Sequence, residues 1–160
     1  MNQSIILIFL FAGILISQEQ SIPSSKKNRD PISFSKTFRG NFHGKSISYK
    51  ASHYETILYD KDDYNKPMAS IFVTEYSSIK KDPFRPVIFI FNGGPGSASL
   101  WLHMGVMGPK VVKVPSDAKD DGSPPYKLVD NHLSPLDIAD LVCIDPVGTG
   151  YSLAMGEHEN

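Results

Sequence analysis

The sequence predicts an α/β fold built on a mixed sheet, and three stretches carry that expectation. Val87 to Phe91 is an unbroken apolar run, which reads as a short strand buried on both faces, the kind that parallel sheets use. The run breaks into Asn92-Gly93-Gly94-Pro95-Gly96, and a helical pattern resumes near Ser97. A second apolar strand, Leu141 to Ile144, is ended by Asp145-Pro146. Strand, glycine loop, helix, long loop and second strand follow each other as in a crossover unit.

In chain order, Ile5 to Ile16 is apolar throughout and flanked by polar residues. As a helix this stretch reaches ~18 Å, short of the ~30 Å hydrocarbon core, so it reads as the core of a signal peptide over residues 1–17 and no stable membrane span is expected. Residues 18–31 are a polar linker and 32–160 one domain, large enough for a real core. Thr37 to Phe42 and Ser46 to Ala51 alternate apolar and polar residues about a His43-Gly44-Lys45 turn, in which His43 reads as a surface residue without partners. Glu55 to Tyr59 and Ala69 to Tyr76 form a further strand pair around the acidic loop Asp60 to Pro67. That loop lacks the EF-hand pattern and reads as solvated. Ser97 to Met107 is a helix weakened by Gly105, with Ser97 and Ser99 available as caps. Val111 to Val114 is a short strand, and Pro115 to Tyr126 is a loop.

Composition narrows the function. The 160 residues carry a formal charge of −1, which gives no reason to expect nucleic acid as a partner. The single cysteine, Cys143, lies inside an apolar strand and reads as a buried, inert thiol.

A strand that ends in glycines and feeds a helix leaves several backbone N–H groups uncovered at one point. Such a cluster suits an anion: a phosphate, a carboxylate, or the oxyanion of acyl transfer. The phosphate reading fails on motif, because no Lys-Ser or Lys-Thr follows the glycines and the G-x-G-x-x-G spacing is absent. A tight turn without chemistry is the plain alternative.

Asn92-Gly-Gly-Pro-Gly96, with Ser97-Ala-Ser-Leu100 after it, resembles the signature loop of the serine carboxypeptidases, the carboxypeptidase Y-like branch of the α/β-hydrolase fold. Asp140-Leu-Val-Cys-Ile-Asp-Pro-Val-Gly-Thr-Gly-Tyr-Ser152 resembles the family's next block, a strand followed by Asp-x-Pro-x-x-x-Gly-[Phe/Tyr]-Ser. Gly108-Pro109 and Asp130-Asn131 fall between them where the family has comparable residues. The resemblance is close from Phe84 to Ser152 and weaker from His43 to Tyr76.

The resemblance implies a partial α/β-hydrolase fold in a chain exported through the secretory pathway. It assigns the oxyanion N–H to Gly94, and it gives the free C-terminal carboxylate of a peptide or protein substrate to the Asn92 side chain and the Gly93 N–H. An amide side chain and exposed N–H groups can hold a carboxylate without a full positive charge. Trp101 either lines the pocket for the terminal side chain or belongs to the core. No cofactor or metal is called for. The family's Gly-x-Ser-x-Gly nucleophile and its Asp and His do not occur in these residues, so the chain reads as an N-terminal fragment, inactive alone. Gly150-Tyr-Ser152-Leu-Ala154 imitates the elbow, but Ser152 does not follow directly on a strand as an elbow serine must. The strand Val87 to Phe91 would normally pair with the nucleophile strand, so the piece should expose an apolar sheet edge.

The chain departs from the family at Ile90, where many members have Trp, at Ser97, where many have a disulfide Cys, and at Val106, where an acid is common. Other readings are a serine carboxypeptidase-like acyltransferase, an esterase, and a non-catalytic secreted relic of the fold.

Overall fold

The computed structural model describes residues 30–94, 96–114 and 124–156. The signal peptide and most of the linker lie outside them. The described residues form eight strands with short helical turns after the fourth and sixth: β1 Ser33–Phe42, β2 Lys45–Tyr59, β3 Pro67–Ser78, β4 Val87–Ile90, β5 Lys110–Val112, β6 Leu128–Asp130, β7 Asp140–Ile144 and β8 Leu153–Ala154. The main sheet runs β1-β2-β3-β7-β4, with β8 also against β3, and β5 pairs β6 separately. All neighbours are antiparallel except β4 and β7, which run parallel, so the sheet is mixed as expected.

The β1–β2 connection is a two-residue turn at His43 and Gly44, both with positive φ (48° and 80°). That is the twist a tight hairpin needs. His43 is exposed as expected but not without a partner: its Nδ1 lies 3.0 Å from Asp137 Oδ1, and Lys45 Nζ lies 3.0 Å from the other carboxylate oxygen. Together they dock the hairpin tip on the turn before β7.

Ser46 to Ala51 and Glu55 to Tyr59 are one strand rather than two, because Ser52, His53 and Tyr54 stay extended and pair with Glu75, Thr74 and Val73. The β5–β6 pair replaces the expected strand at Val111 to Val114, and its second member was unexpected.

One face of the sheet carries the core. Phe38, Phe42, Ile47, Tyr49, Ala51, Tyr76, Ile88, Ile90, Leu141 and Cys143 pack there under Leu102, Met107 and Leu136. The expectation that Val87 to Phe91 is buried on both faces is corrected. Ile88 and Ile90 point into the core, but Val87, Phe89 and Phe91 are exposed, Phe89 by 63%. Strand side chains alternate, and among the described residues no helix covers the second face. β4 also ends the sheet, with its outer edge unpaired among the described residues.

Arg85 fixes where β4 and β7 begin. Its Nε donates to Asp140 Oδ1 (2.6 Å), and its guanidinium also donates to the carbonyls of Leu136 (2.5 Å) and Ala139 (2.9 Å). Asp140 Oδ1 accepts the Ser78 N–H as well, tying in the end of β3.

Candidate functional site

The glycine turn leaves the end of β4 with Gly94 at φ +87° and Gly96 at φ +80°, conformations that glycine adopts without strain. Gly93 and Gly94 are exposed, and a Cβ added at either would meet nothing within 4 Å. Among the described residues no hydrogen bond uses the N–H of either glycine, whereas the Gly94 carbonyl accepts the Ser97 N–H at 3.4 Å. Both exposed glycines thus keep their amides unused among the described residues, at the end of the strand that runs parallel to β7. Asn92 is half-buried, and its Nδ2 donates to Ser97 Oγ at 2.6 Å, closing the turn from side to side. Its carboxamide oxygen and second N–H are left over among the described residues.

The helix expected over Ser97 to Met107 is shorter and wider. A single α-turn, α1 (Leu100–Leu102), passes into a π-turn, His103–Met107, closed by Gly108 N–H on the His103 carbonyl at 2.9 Å. Two causes act together. Gly105 weakens the helix, and side chains from far along the chain take its last carbonyls. Asn131 Nδ2 donates to the Val106 and Gly108 carbonyls (2.7 and 2.8 Å), and Ser134 Oγ donates to that of Met107 (2.7 Å).

Neither serine caps this segment through its side chain, contrary to expectation. Ser99 occupies the cap position, but its hydroxyl turns to Asp145, while that of Ser97 meets Asn92. Asp145 Oδ1 accepts both the Ser99 N–H (2.8 Å) and the Ser99 hydroxyl (2.7 Å). Sequence reading saw Asp145 only as a strand terminator. The signal available was an acid at the end of an apolar strand, followed by a proline and two glycines.

Trp101 sits on α1 and is 72% exposed among the described residues. Leu100, its neighbour, is exposed too. On the other side of the segment, the Tyr76 hydroxyl and His103 Nε2 share a hydrogen bond.

Ser152 lies where the elbow-like motif is, but it is wholly buried (0% exposed) and structurally engaged. Its Oγ accepts the Phe72 N–H at 2.9 Å and donates to the Asp145 carbonyl at 2.8 Å. Among the described residues no base is hydrogen-bonded to it, and the β7 strand has ended several residues earlier, as an elbow does not allow.

Among the described residues no three His, Cys, Asp or Glu side chains are grouped to hold a metal ion, and no helix is long and apolar enough to cross a membrane.

The sequence profile of the serine carboxypeptidases matches residues 54–160, from within β2 to the end of the chain. No curated protein matches the chain in direct sequence comparison. The matched stretch holds the glycine turn, the segment after it, and the block from Asp140 to Ser152. The chain belongs to the serine carboxypeptidase family.

Proposed function

We propose that this chain provides the oxyanion turn and the substrate-carboxylate site of an exported serine-type carboxypeptidase with an α/β-hydrolase fold. The observation that carries the reading is the pair of amides at Gly93 and Gly94, uncommitted among the described residues and placed next to Asn92 at the end of β4. When a serine attacks a peptide carbonyl, negative charge collects on the carbonyl oxygen, and a preplaced N–H lowers the barrier by stabilising that charge. Gly94 has this role. Asn92 and the Gly93 N–H take the free carboxylate of the last residue, which restricts cleavage to chain ends. Exposed Trp101 lines the side-chain pocket.

The residues present support binding rather than cleavage. No Gly-x-Ser-x-Gly occurs in the 160 residues, and Ser152 is committed to the fold. Peptide hydrolysis would need an attacking serine, a base and an orienting acid in addition to these residues.

Calorimetric titration of the chain with an N-acylated dipeptide tests the reading, using the free acid against its C-terminal amide. Charge-assisted hydrogen bonds contribute about 1.5–3 kcal/mol, so the acid should bind about tenfold tighter or better. Asn92→Asp, which sets like charge against the ligand, should remove the preference. Equal affinity for acid and amide would overturn it.

A further inference from the structure

The Gly93 and Gly94 amides can act only if the turn holds them in one place, and the structure shows what holds it. Gly94 and Asn92 are tied to Ser97, the first through its carbonyl and the second through its amide. Two residues on, Ser99 begins the helical segment, its carbonyl accepting the N–H groups of Leu102 (3.0 Å) and His103 (2.8 Å). Ser99 is buried, and both its N–H and its hydroxyl end on one oxygen of Asp145.

Asp145 is itself held on three sides. Its N–H donates to the Phe72 carbonyl at 3.1 Å, and its carbonyl accepts from Ser152 Oγ. Ser152 Oγ in turn accepts the Phe72 N–H, so β3 fixes the main chain of Asp145 from both directions. The carboxylate has its space because residue 150 is glycine: a Cβ there would stand 2.4 Å from Asp145 Oδ2, closer than atoms can approach, and Gly150 has φ +56°. A glycine at this position therefore leaves room for the carboxylate as well as for the turn.

From this geometry we infer that Asp145 is the positioning residue for the glycine turn, and that Gly150, by having no side chain, leaves the space its carboxylate occupies. Asp145 does not touch the substrate. It transmits the position of β3 through Ser99 to the turn where Asn92, Gly93 and Gly94 stand. The inference rests on the carboxylate-binding reading of that turn, but it concerns how the turn is held, which can be observed without a ligand.

The experiment follows the backbone amide resonances of Gly93 and Gly94 by nuclear magnetic resonance in the full chain, and then titrates the same samples with the free-acid and amidated dipeptides. Asp145→Ala removes the acceptor, Asp145→Asn keeps an Oδ1 that still accepts from Ser99, and Gly150→Ala crowds the carboxylate. Phe42→Leu, in the core at β1, serves as a control of reduced stability away from the turn. Small displacements of binding groups have large effects, so Asp145→Ala and Gly150→Ala should move both glycine resonances and weaken free-acid binding about tenfold. Asp145→Asn should restore binding to within about threefold of the parent, and Phe42→Leu should leave both readouts in place.

If Asp145→Ala leaves the resonances and the affinity unchanged, or lowers stability as the control does with no other effect, Asp145 is only a structural residue and the inference is lost. If the parent chain does not distinguish acid from amide, the carboxylate reading fails instead, and the resonances still decide the positioning role. Should Asp145→Ala not fold, Ser99→Ala, which removes one of the two bonds to Asp145, carries the same comparison.

Discussion

The Tyr76 hydroxyl and His103 Nε2 meet in a hydrogen bond, their rings 5.3 Å apart and inclined at 52°, and so fasten the helical segment to β3. Burial, the largest influence, holds the His103 imidazole below its ordinary value of 6.5; nearby Asp145 opposes the shift and His53 adds to it. Burial likewise raises the Tyr76 phenol, with Cys143 and Tyr49 adding to the shift. Both groups are therefore neutral in the folded chain near neutral pH.

The sign of the resulting pH dependence follows. Between the lowered folded value and about 6.5, the unfolded chain binds more protons at His103 than the folded one, so stability falls as the solution is acidified through that window. Urea unfolding at about pH 7 and about pH 5 should show this loss, and His103→Gln should flatten it. Tyr76→Phe should cost about 1 kcal/mol by leaving a half-buried ring nitrogen without its partner. A His103→Gln chain with an unchanged pH profile would contradict the account.

Cys143 is 1% exposed, and burial, with Asp145 adding to it, pushes its thiol up to about 12. Since the thiolate is the reactive species, iodoacetamide should not modify the native chain at about pH 8 and should modify it stoichiometrically in urea. Rapid labelling of the folded chain would show that β7 is open.

Ser152→Ala removes both the acceptor for Phe72 N–H and the donor to Asp145, in a site with no water access. A loss of about 1–3 kcal/mol in thermal or urea unfolding is expected. A fluorophosphonate, which esterifies activated serines, should leave the parent chain unlabelled; labelling at Ser152 would show a nucleophile where the structure has a strut.

Phe89→Lys tests the bare face of β4. Because Phe89 lies away from the core, the free energy of unfolding should change by no more than about 0.5 kcal/mol. Sedimentation should show less self-association, since a charge on an exposed strand opposes edge pairing. Unchanged association would place the sticky surface elsewhere.

Much of this was legible because it is local. Gly44 after His43 signals a tight hairpin, Asp145-Pro146 ends β7, and consecutive glycines end β4, each through backbone preferences that a short window contains. What escaped reading depends on distant residues. The π-turn is drawn out by Asn131, 25 residues after Val106, and by Ser134, 27 residues after Met107. The three-residue strands β5 and β6 have too few positions to show a period. Apolar Val87, Phe89 and Phe91 announce burial, yet which neighbour covers them is not written in the strand. In the site, Asn92, Gly93 and Gly94 were visible as a donor cluster, whereas the use of Ser99 by Asp145 was not.

The Ser99–Asp145 bonds span 46 positions, and the Phe72–Ser152 bond behind them spans 80. Contacts so far apart form only after the intervening chain has been closed into a loop, an entropic cost that slows folding. On the ribosome, the segment at Asn92 leaves the exit long before its partner is made. The newborn turn must wait, unset, until the last part of this sequence has been translated, and a chain released early would keep its glycines but lose their aim.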